Sequence, residues 1–442
     1  MAEVRSNLSA GLLASRIALF AVLGLGLSAP ATSAPSTAGD DPPLIADGVL
    51  GAAGALLQGF SIEGTVTTIY DSNFQRFGGN LNGDNSTLRV SPLASLRYST
   101  SVGQQRLFAT GSIGRDIFVD NSEFNSNRYS AGGGVDWKLG VRCRGNVSAD
   151  FSSAQNLVTE VAQLVNNVQE RTSFGGSARC QGPVGFGLGI DVRRQIVDNS
   201  RPERFVFDLR TTQISPQITY ASPVLGQFTL GGSLARTRYP NRPVLTADGT
   251  VADAVDIYSG RFGYSRTLGA RLQVALGVSY FDVKPDPDLV IGIANGLPAI
   301  LERPGFSGMG FDAAATYKAG PRLSITASAN RGVQASGNVG SQFLVSEAYG
   351  LDLDYRLSQA LTAGVGGTLN NRKFRNSFIS VDEPVARISE TARRVYGQLS
   401  YSPRSFYSVD FEVAHQERES NPAVLNFSST TALLRLRVKF GR

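Results

Sequence analysis

From Phe60 to its last residues the chain beats with a period of two. Val184, Phe186, Leu188, Ile190 and Val192 alternate with Gly185, Gly187, Gly189, Asp191 and Arg193. A strand projects successive side chains to opposite faces, so the pattern predicts β-strands with one apolar and one polar face. Eighteen segments carry it: 60–70, 87–100, 105–118, 127–139, 141–154, 170–181, 184–197, 206–221, 226–239, 254–268, 271–283, 306–318, 322–334, 345–357, 360–373, 390–402, 406–418 and 428–440. The stretches 198–210 and 335–350 are ambiguous, and they leave sixteen strands as the alternative count.

Alternation alone does not say whether the apolar face turns inward, as in a sandwich, or outward to lipid, as in a membrane barrel. Loop lengths decide for the barrel. Leu139-Gly140, Gly182-Pro183, Gly269-Ala270, Ala319-Gly320-Pro321 and Ser402-Pro403-Arg404-Ser405 are tight turns. Residues 71–86, 155–169, 240–253, 284–305, 335–344, 374–389 and 419–427 form long, polar or irregular connections. Short turns at the periplasmic rim and long loops outside are the habit of outer-membrane barrels, and a sandwich has no reason to sort its connections so. Tyr98, Trp137, Tyr220, Tyr264, Tyr317, Tyr355, Tyr401 and Phe406 fall at strand ends beside short turns, where amphipathic rings meet the headgroup layer. The last strand sets Ala432, Leu434, Leu436, Val438 and Phe440 against Leu433, Arg435, Arg437 and Lys439, with an aromatic almost at the terminus of the kind that barrel-assembly machinery reads. The expectation is an all-β transmembrane antiparallel barrel of about eighteen strands with both termini periplasmic.

The N-terminal residues add an address. Arg5 and Arg16 precede an apolar run from Ile17 to Leu27 and the small-x-small triplet Ala29-Pro30-Ala31, which reads as a cleaved signal peptide over residues 1–31. Residues 32–59 read as a periplasmic lead-in ending near Leu56 and Leu57, and 60–442 as one barrel. No run approaches the ~20 apolar residues of a membrane-spanning helix. The bacterial outer membrane is the expected location. Forty-nine glycines and a mean hydropathy near zero (−0.06) suit strands that are half wet.

Thirty-seven arginines against five lysines give a formal net charge of +6. On the polar face lie Arg89, Arg97, Arg142, Arg144, Arg179, Arg193, Arg261, Arg356, Arg394, Arg435 and Arg437, opposed by Asp136, Asp150, Asp191, Asp352, Asp354, Asp410 and Glu412. These are the expected pore-lining residues, and an excess of guanidiniums there lowers the electrostatic cost of admitting anions. The competing reading is that cations and carboxylates neutralise one another across strands and hold the barrel's shape. A barrel of this strand number is wide enough for an aqueous channel.

Catalytic chemistry finds little to stand on. His415 is the single histidine. It shares a face with Tyr407, Val409, Phe411 and Val413, and Glu417, not serine, follows two residues later, so it does not match a lipid-facing Ser-His-Asn phospholipase. The pairs Asp352/Asp354 and Asp410/Glu412 sit on one strand face, as pore lining does. There is no phosphate-binding glycine loop, no nucleophile elbow and no Cys/His metal cluster, so no enzyme activity, cofactor, metal or nucleic-acid partner is expected. Cys143 and Cys180 fall at one height and on one face of a predicted hairpin. They are expected to form a cross-strand disulfide in an oxidising compartment, the alternative being two unlinked small outward residues. Leu157, Val161, Leu164, Val165 and Val168 stand at helical spacing in an outer loop, which suggests a short helix packed on its neighbours or folded into the lumen.

The first strand closes on Ile69-Tyr70-Asp71-Ser72-Asn73-Phe74, followed by a polar loop and the strand from Leu88 to Tyr98. With the barrel pattern around it, the chain resembles the β-barrel porin family that includes the EpsL proteins of exopolysaccharide operons. The resemblance implies an outer-membrane conduit that passes polysaccharide cargo to the cell surface. Its partners would be outer-membrane lipid, periplasmic polysaccharide-export proteins and the barrel-assembly machinery. An acidic polymer suits the arginine-rich lumen. A general diffusion porin for small anionic solutes and a plugged structural or adhesive barrel are the two alternatives.

Overall fold

The computed structural model describes residues 59–74, 85–155, 166–294, 297–336, 341–377 and 386–441. The signal peptide, nearly all of the lead-in and the helical spacing at Leu157, Val161, Leu164 and Val165 lie outside the described residues, while Val168, expected with that helix, is instead the first residue of a strand, where it pairs with Gln155. The elements in chain order are β1 (Phe60–Asp71), β2 (Thr87–Val102), β3 (Gln105–Phe118), β4 (Ser126–Leu139), β5 (Cys143–Gln155), β6 (Val168–Gln181), β7 (Gly185–Asn199), β8 (Leu209–Ser222), β9 (Gly226–Thr246) and β10 (Gly249–Leu268). They continue with β11 (Leu272–Asp286), β12 (Leu289–Ala294), β13 (Leu297–Glu302), β14 (Phe306–Ala319), β15 (Leu323–Ala335), β16 (Phe343–Arg356), β17 (Leu361–Arg375), β18 (Ser389–Arg404), β19 (Tyr407–Asn421) and β20 (Phe427–Gly441).

Eighteen of these pair antiparallel, each with its sequence neighbours, and β1 closes the sheet by pairing with β20 as well as β2. Closure leaves no edge strand, which lets a sheet sit in lipid with its backbone groups satisfied. The apolar residues point outward: Phe186, Leu188, Ile190 and Val192 are 78%, 64%, 43% and 42% exposed. In a water-soluble fold such a belt would carry a heavy hydrophobic cost; against acyl chains it carries none. One rim of the belt holds aromatic pairs, Phe60 with Tyr98, Phe186 with Tyr220 and Phe228 with Tyr264, at centroid distances of 4.5, 5.0 and 5.0 Å. At the other rim outward positions turn ionic, as in Arg236–Asp256 (3.4 Å), Arg331–Glu347 (3.5 Å) and Arg393–Glu419 (3.0 Å). The short turns sit at the aromatic rim, and Gly140 and Gly269 there adopt φ near +60°, a conformation open to glycine at no steric cost.

Two connections differ from expectation. Residues 240–253, expected as loop, extend β9 and β10 into a longer hairpin through Thr246 and Gly249, with a register shift between Ala252 and Asp253. Within 284–305, β12 and β13 pair as a separate two-stranded hairpin. The polar composition that suggested loops is what strands acquire once they rise past the lipid and are wet on both faces.

The third difference positions the site. The described ends of the connection between β15 and β16 do not stand away from the barrel: Ser336 on one side, and Ser341, Gln342, Phe343 and Leu344 on the other, are all buried. Phe343 packs into a cluster with Tyr239, Val255, Ile257 and Val283, flanked by Leu209, Ala235, Phe281 and Phe306. In the ladders of β8 to β14 these eight residues hold the positions that alternate inward. The segment therefore lies across the inner wall near the loop-bearing mouth and narrows it.

Candidate functional site

The inner wall carries the polar half of the alternation. Register places Arg89 and Arg97 of β2, Arg144 of β5, Arg179 of β6, Arg193 of β7, Arg261 of β10, Arg356 of β16, Arg394 of β18, and Arg435 and Arg437 of β20 on inward positions, with Asp352 and Asp354 of β16. Arg142 differs: it lies in the exposed turn before β5, because that strand begins at Cys143 and alternation has no meaning in a turn.

Several of these cations are neutralised. Arg261 grips Asp312 through two bonds, Nε to Oδ1 at 2.9 Å and Nη2 to Oδ2 at 2.6 Å. Arg394 pairs with Glu412 at 2.5 Å, and Arg437 lies 3.4 Å from Glu63. Tyr396 donates its hydroxyl to Asp352, and Gln398 donates to Asp354 at 3.3 Å.

Others are not neutralised. Arg144 and Arg179 are direct register partners on β5 and β6, and neither makes an ion pair among the described residues. Like charges opposite one another on neighbouring strands destabilise a sheet. Arg193, on β7, stands opposite Gly175 on one side and Gln213 on the other, and Arg179 stands opposite Gly189, over which the Gln217 side chain lies. In the closed strand order β5 to β7 lie half-way round from β16 to β18, which carry Asp352, Asp354, Tyr396 and Gln398. Both walls carry both signs: on β5 to β7 the arginines stand with Asp150, which lies in the field of Arg193, and Asp191, which accepts from Gln217 (3.3 Å), while on β16 to β18 Arg356 and Arg394 stand with Asp352 and Asp354.

The folded-in segment is held by a buried ionic hub. Asp253, 4% exposed at its side chain, is ion-paired with Arg242 (2.7 Å) and accepts from Arg303 Nη2 (2.6 Å) and Gln342 Nε2 (2.9 Å). Arg303 comes from the loop just after β13 and Arg242 from β9, so one carboxylate ties the β9–β10 hairpin, the β12–β13 hairpin and the folded-in segment. The Tyr239 hydroxyl donates towards Ser336 O (2.6 Å) and Gln342 O (3.0 Å), and the Arg242 guanidinium lies 3.5 Å above its ring. This part of β9 lies beyond the apolar belt. Burial pushes the Tyr239 phenol up to about 12, against the opposing pull of Arg242. None of these residues was marked by the sequence pattern, since apart from Arg242 and Asp253, which are near neighbours across one hairpin, they meet across 50 to 103 positions.

Cys143 and Cys180 are register partners and form a disulfide. His415 is outward, 46% exposed at its side chain, with Nδ1 2.9 Å from Thr430 Oγ1 and Nε2 3.4 Å from Glu417. No serine enters that set. Asp410 and Glu412 are inward on β19, beside Arg435 and Leu433 of β20.

Residues 304–440 match the family described as "Putative beta-barrel porin 2". No curated protein matches the chain. Among solved structures, the chain is similar to the outer membrane protein OpdK of Pseudomonas aeruginosa, at 9% identity and a TM-score of 0.44 over 86% of this chain and 99% of that one. It is also similar to OccK2 (OpdF) of Pseudomonas aeruginosa in complex with glucuronate, at 10% identity and 0.46 over 86% and 96%. The siderophore receptor PirA of Pseudomonas aeruginosa gives 11% identity and 0.45 over 87% and 80%. Closed sheet, outward apolar belt and polar lumen together make this a porin-like barrel of outer-membrane architecture.

Proposed function

We propose that the protein is a passive conduit across the bacterial outer membrane for anionic, hydroxyl-rich solutes, with acidic exopolysaccharide leaving the cell as its cargo. The opposition of Arg144 and Arg179 carries this reading. Two guanidiniums in register cost the sheet stability and contribute nothing to its shape, so an anion that passes between them is the natural reason to keep them. The polymer enters through the resemblance around Tyr70 to Asn73, and with it an N-terminal export signal, periplasmic termini and periplasmic export partners. Reversal potentials in planar bilayers under a KCl gradient test the anion preference, and the sign for a cation-selective or non-conducting barrel ends it. Deletion of the gene tests the cargo: a mutant that secretes a normal amount of polymer retains the channel and loses the polysaccharide.

A second reading, diffusion of small anionic solutes, is favoured by the folded-in segment around Phe343, which narrows the mouth. Uptake of small organic anions by the deletion strain separates the two.

A further inference from the structure

Between β18, β19 and β20 the inner wall holds a cavity of about 270 Å³, room for one sugar ring and not for several. Its lining is polar and of both signs, with Gln398 and Ser400 from β18, Asp410, Phe411 and Glu412 from β19, and Leu433, Arg435 and Arg437 from β20. Glu412 is already engaged by Arg394, and the neighbouring Arg437 lies against Glu63. Asp410 and Arg435 are direct register partners of opposite charge on adjacent strands, yet they make no ion pair among the described residues. Ser400, the register partner of Asp410 on its other side, is equally available. Opposite charges at register-paired positions stabilise a sheet when they close on each other, and here both stay open to the lumen.

We infer that this cavity is a subsite for one uronic acid residue. Arg435 takes the sugar carboxylate through its planar fork, Asp410 and Ser400 take ring hydroxyls, and Leu433 lies against the apolar face of the ring. The alternatives use only half of the set. A simple anion engages Arg435 and is repelled by Asp410; a neutral sugar engages Asp410 and leaves Arg435 without an anion. A zwitterionic amino acid would engage both, but it carries no net charge to draw on the arginines of β5 to β7. The inference rests on the conduit reading above and names the chemistry of the unit that passes.

The test is equilibrium binding to the full chain in detergent, by titration calorimetry with potassium galacturonate, galactose, potassium acetate and glycine as probes. It needs no conduction and so fails or succeeds separately from the channel measurement. Galacturonate is expected to bind at least about tenfold more tightly than the other three, each charge-assisted contact being worth about a decade. Arg435→Gln should abolish the preference over galactose, and Asp410→Asn the preference over acetate, with heat-modifiable gel mobility confirming a folded barrel in each. Equal binding of galacturonate and acetate, glycine as the best ligand, no binding of galacturonate, or folded variants that bind it as the parent does would each overturn the proposal. Anion selectivity in bilayers with no galacturonate preference would remove the subsite and leave the conduit standing.

Discussion

Removing the Asp253 carboxylate should open the barrel's mouth. Asp253 holds Arg242 at 2.7 Å and Arg303 at 2.6 Å, and those guanidiniums are only 8% and 12% exposed. Taking away one partner of a buried ion pair strands the other charges and costs about 3–5 kcal/mol. The bond from Gln342, 2.9 Å in length, adds about 1 kcal/mol. What remains to hold the segment is the burial of Phe343, worth about 2–3 kcal/mol, with about 1 kcal/mol each from the Gln342 Nε2 bond to Ala254 O (2.6 Å) and from the one Tyr239 hydroxyl proton, shared between Ser336 O and Gln342 O. Loss and remainder are similar, so Asp253→Ala is expected to place a substantial fraction of molecules with the segment off the wall. The ladders of the barrel do not depend on this carboxylate, and the damage stays local. Single-channel conductance should rise, and chymotrypsin should cut after Phe343, which is fully buried in the parent. A folded variant with parental conductance and an uncut Phe343 would refute the assignment of Asp253 as the tie.

The Tyr239 phenol is raised to about 12 from an ordinary value of 10, so the folded state holds that proton more tightly than the unfolded one. Its contribution is fully present below pH 10 and is lost as pH rises from 10 to 12; chymotryptic cleavage at Phe343 should increase across that window, and Tyr239→Phe should weaken the segment by about 1–2 kcal/mol at pH 8 and flatten the pH dependence. Arg144→Gln with Arg179→Gln should relieve the opposed charges, so reversal potentials should show anion preference falling at least a few-fold while thermal stability holds or rises. Cys143→Ser with Cys180→Ser removes a cross-link spanning 37 positions and should lower the stability of the barrel by about 3–4 kcal/mol if the unfolded chain gains the freedom of an open loop; a denaturant midpoint shared with the parent would show that the neighbouring ladder alone fixes the hairpin. At Gly145 a methyl group would come within 2.4 Å of the Trp137 ring and 2.0 Å of Ser177 O, so Gly145→Ala should displace the indole and lower the thermal midpoint, read together with a shift in Trp137 fluorescence.

The barrel is legible in the sequence because its rule is local. A residue's face depends only on its parity within a strand, so the inward positions of Arg144, Arg179 and Arg193 and the outward ones of Phe186 to Val192 follow from counting. The matched height of Cys143 and Cys180 follows too, since one comes just after a tight turn and the other just before the next tight turn on the same rim. The same rule fails where the strand ends. Arg142, two positions from an inward Arg144, is in phase by number and lies in a turn by structure. The β9–β10 extension was hidden for the complementary reason: beyond the lipid neither face must be apolar, so composition no longer distinguishes strand from loop.

Phe343 shows the deeper limit. Its parity groups it with the outward Glu347, Tyr349 and Leu351 of β16, yet it is buried against residues of β9, β10 and β11. Parity describes a side chain's relation to its own strand, whereas the fate of Phe343 is set by where the segment before it goes. That path is decided by Asp253 and Tyr239 of the β9–β10 hairpin and Arg303 from beside the β12–β13 hairpin, and none of the three is unusual in its own surroundings. A lumen wall can therefore be read from sequence, because it repeats, while the element that narrows it cannot. On the conduit reading the charge pattern would choose the solutes, and the Asp253 contact that would set the size admitted lies in the part of the chain that carries no pattern.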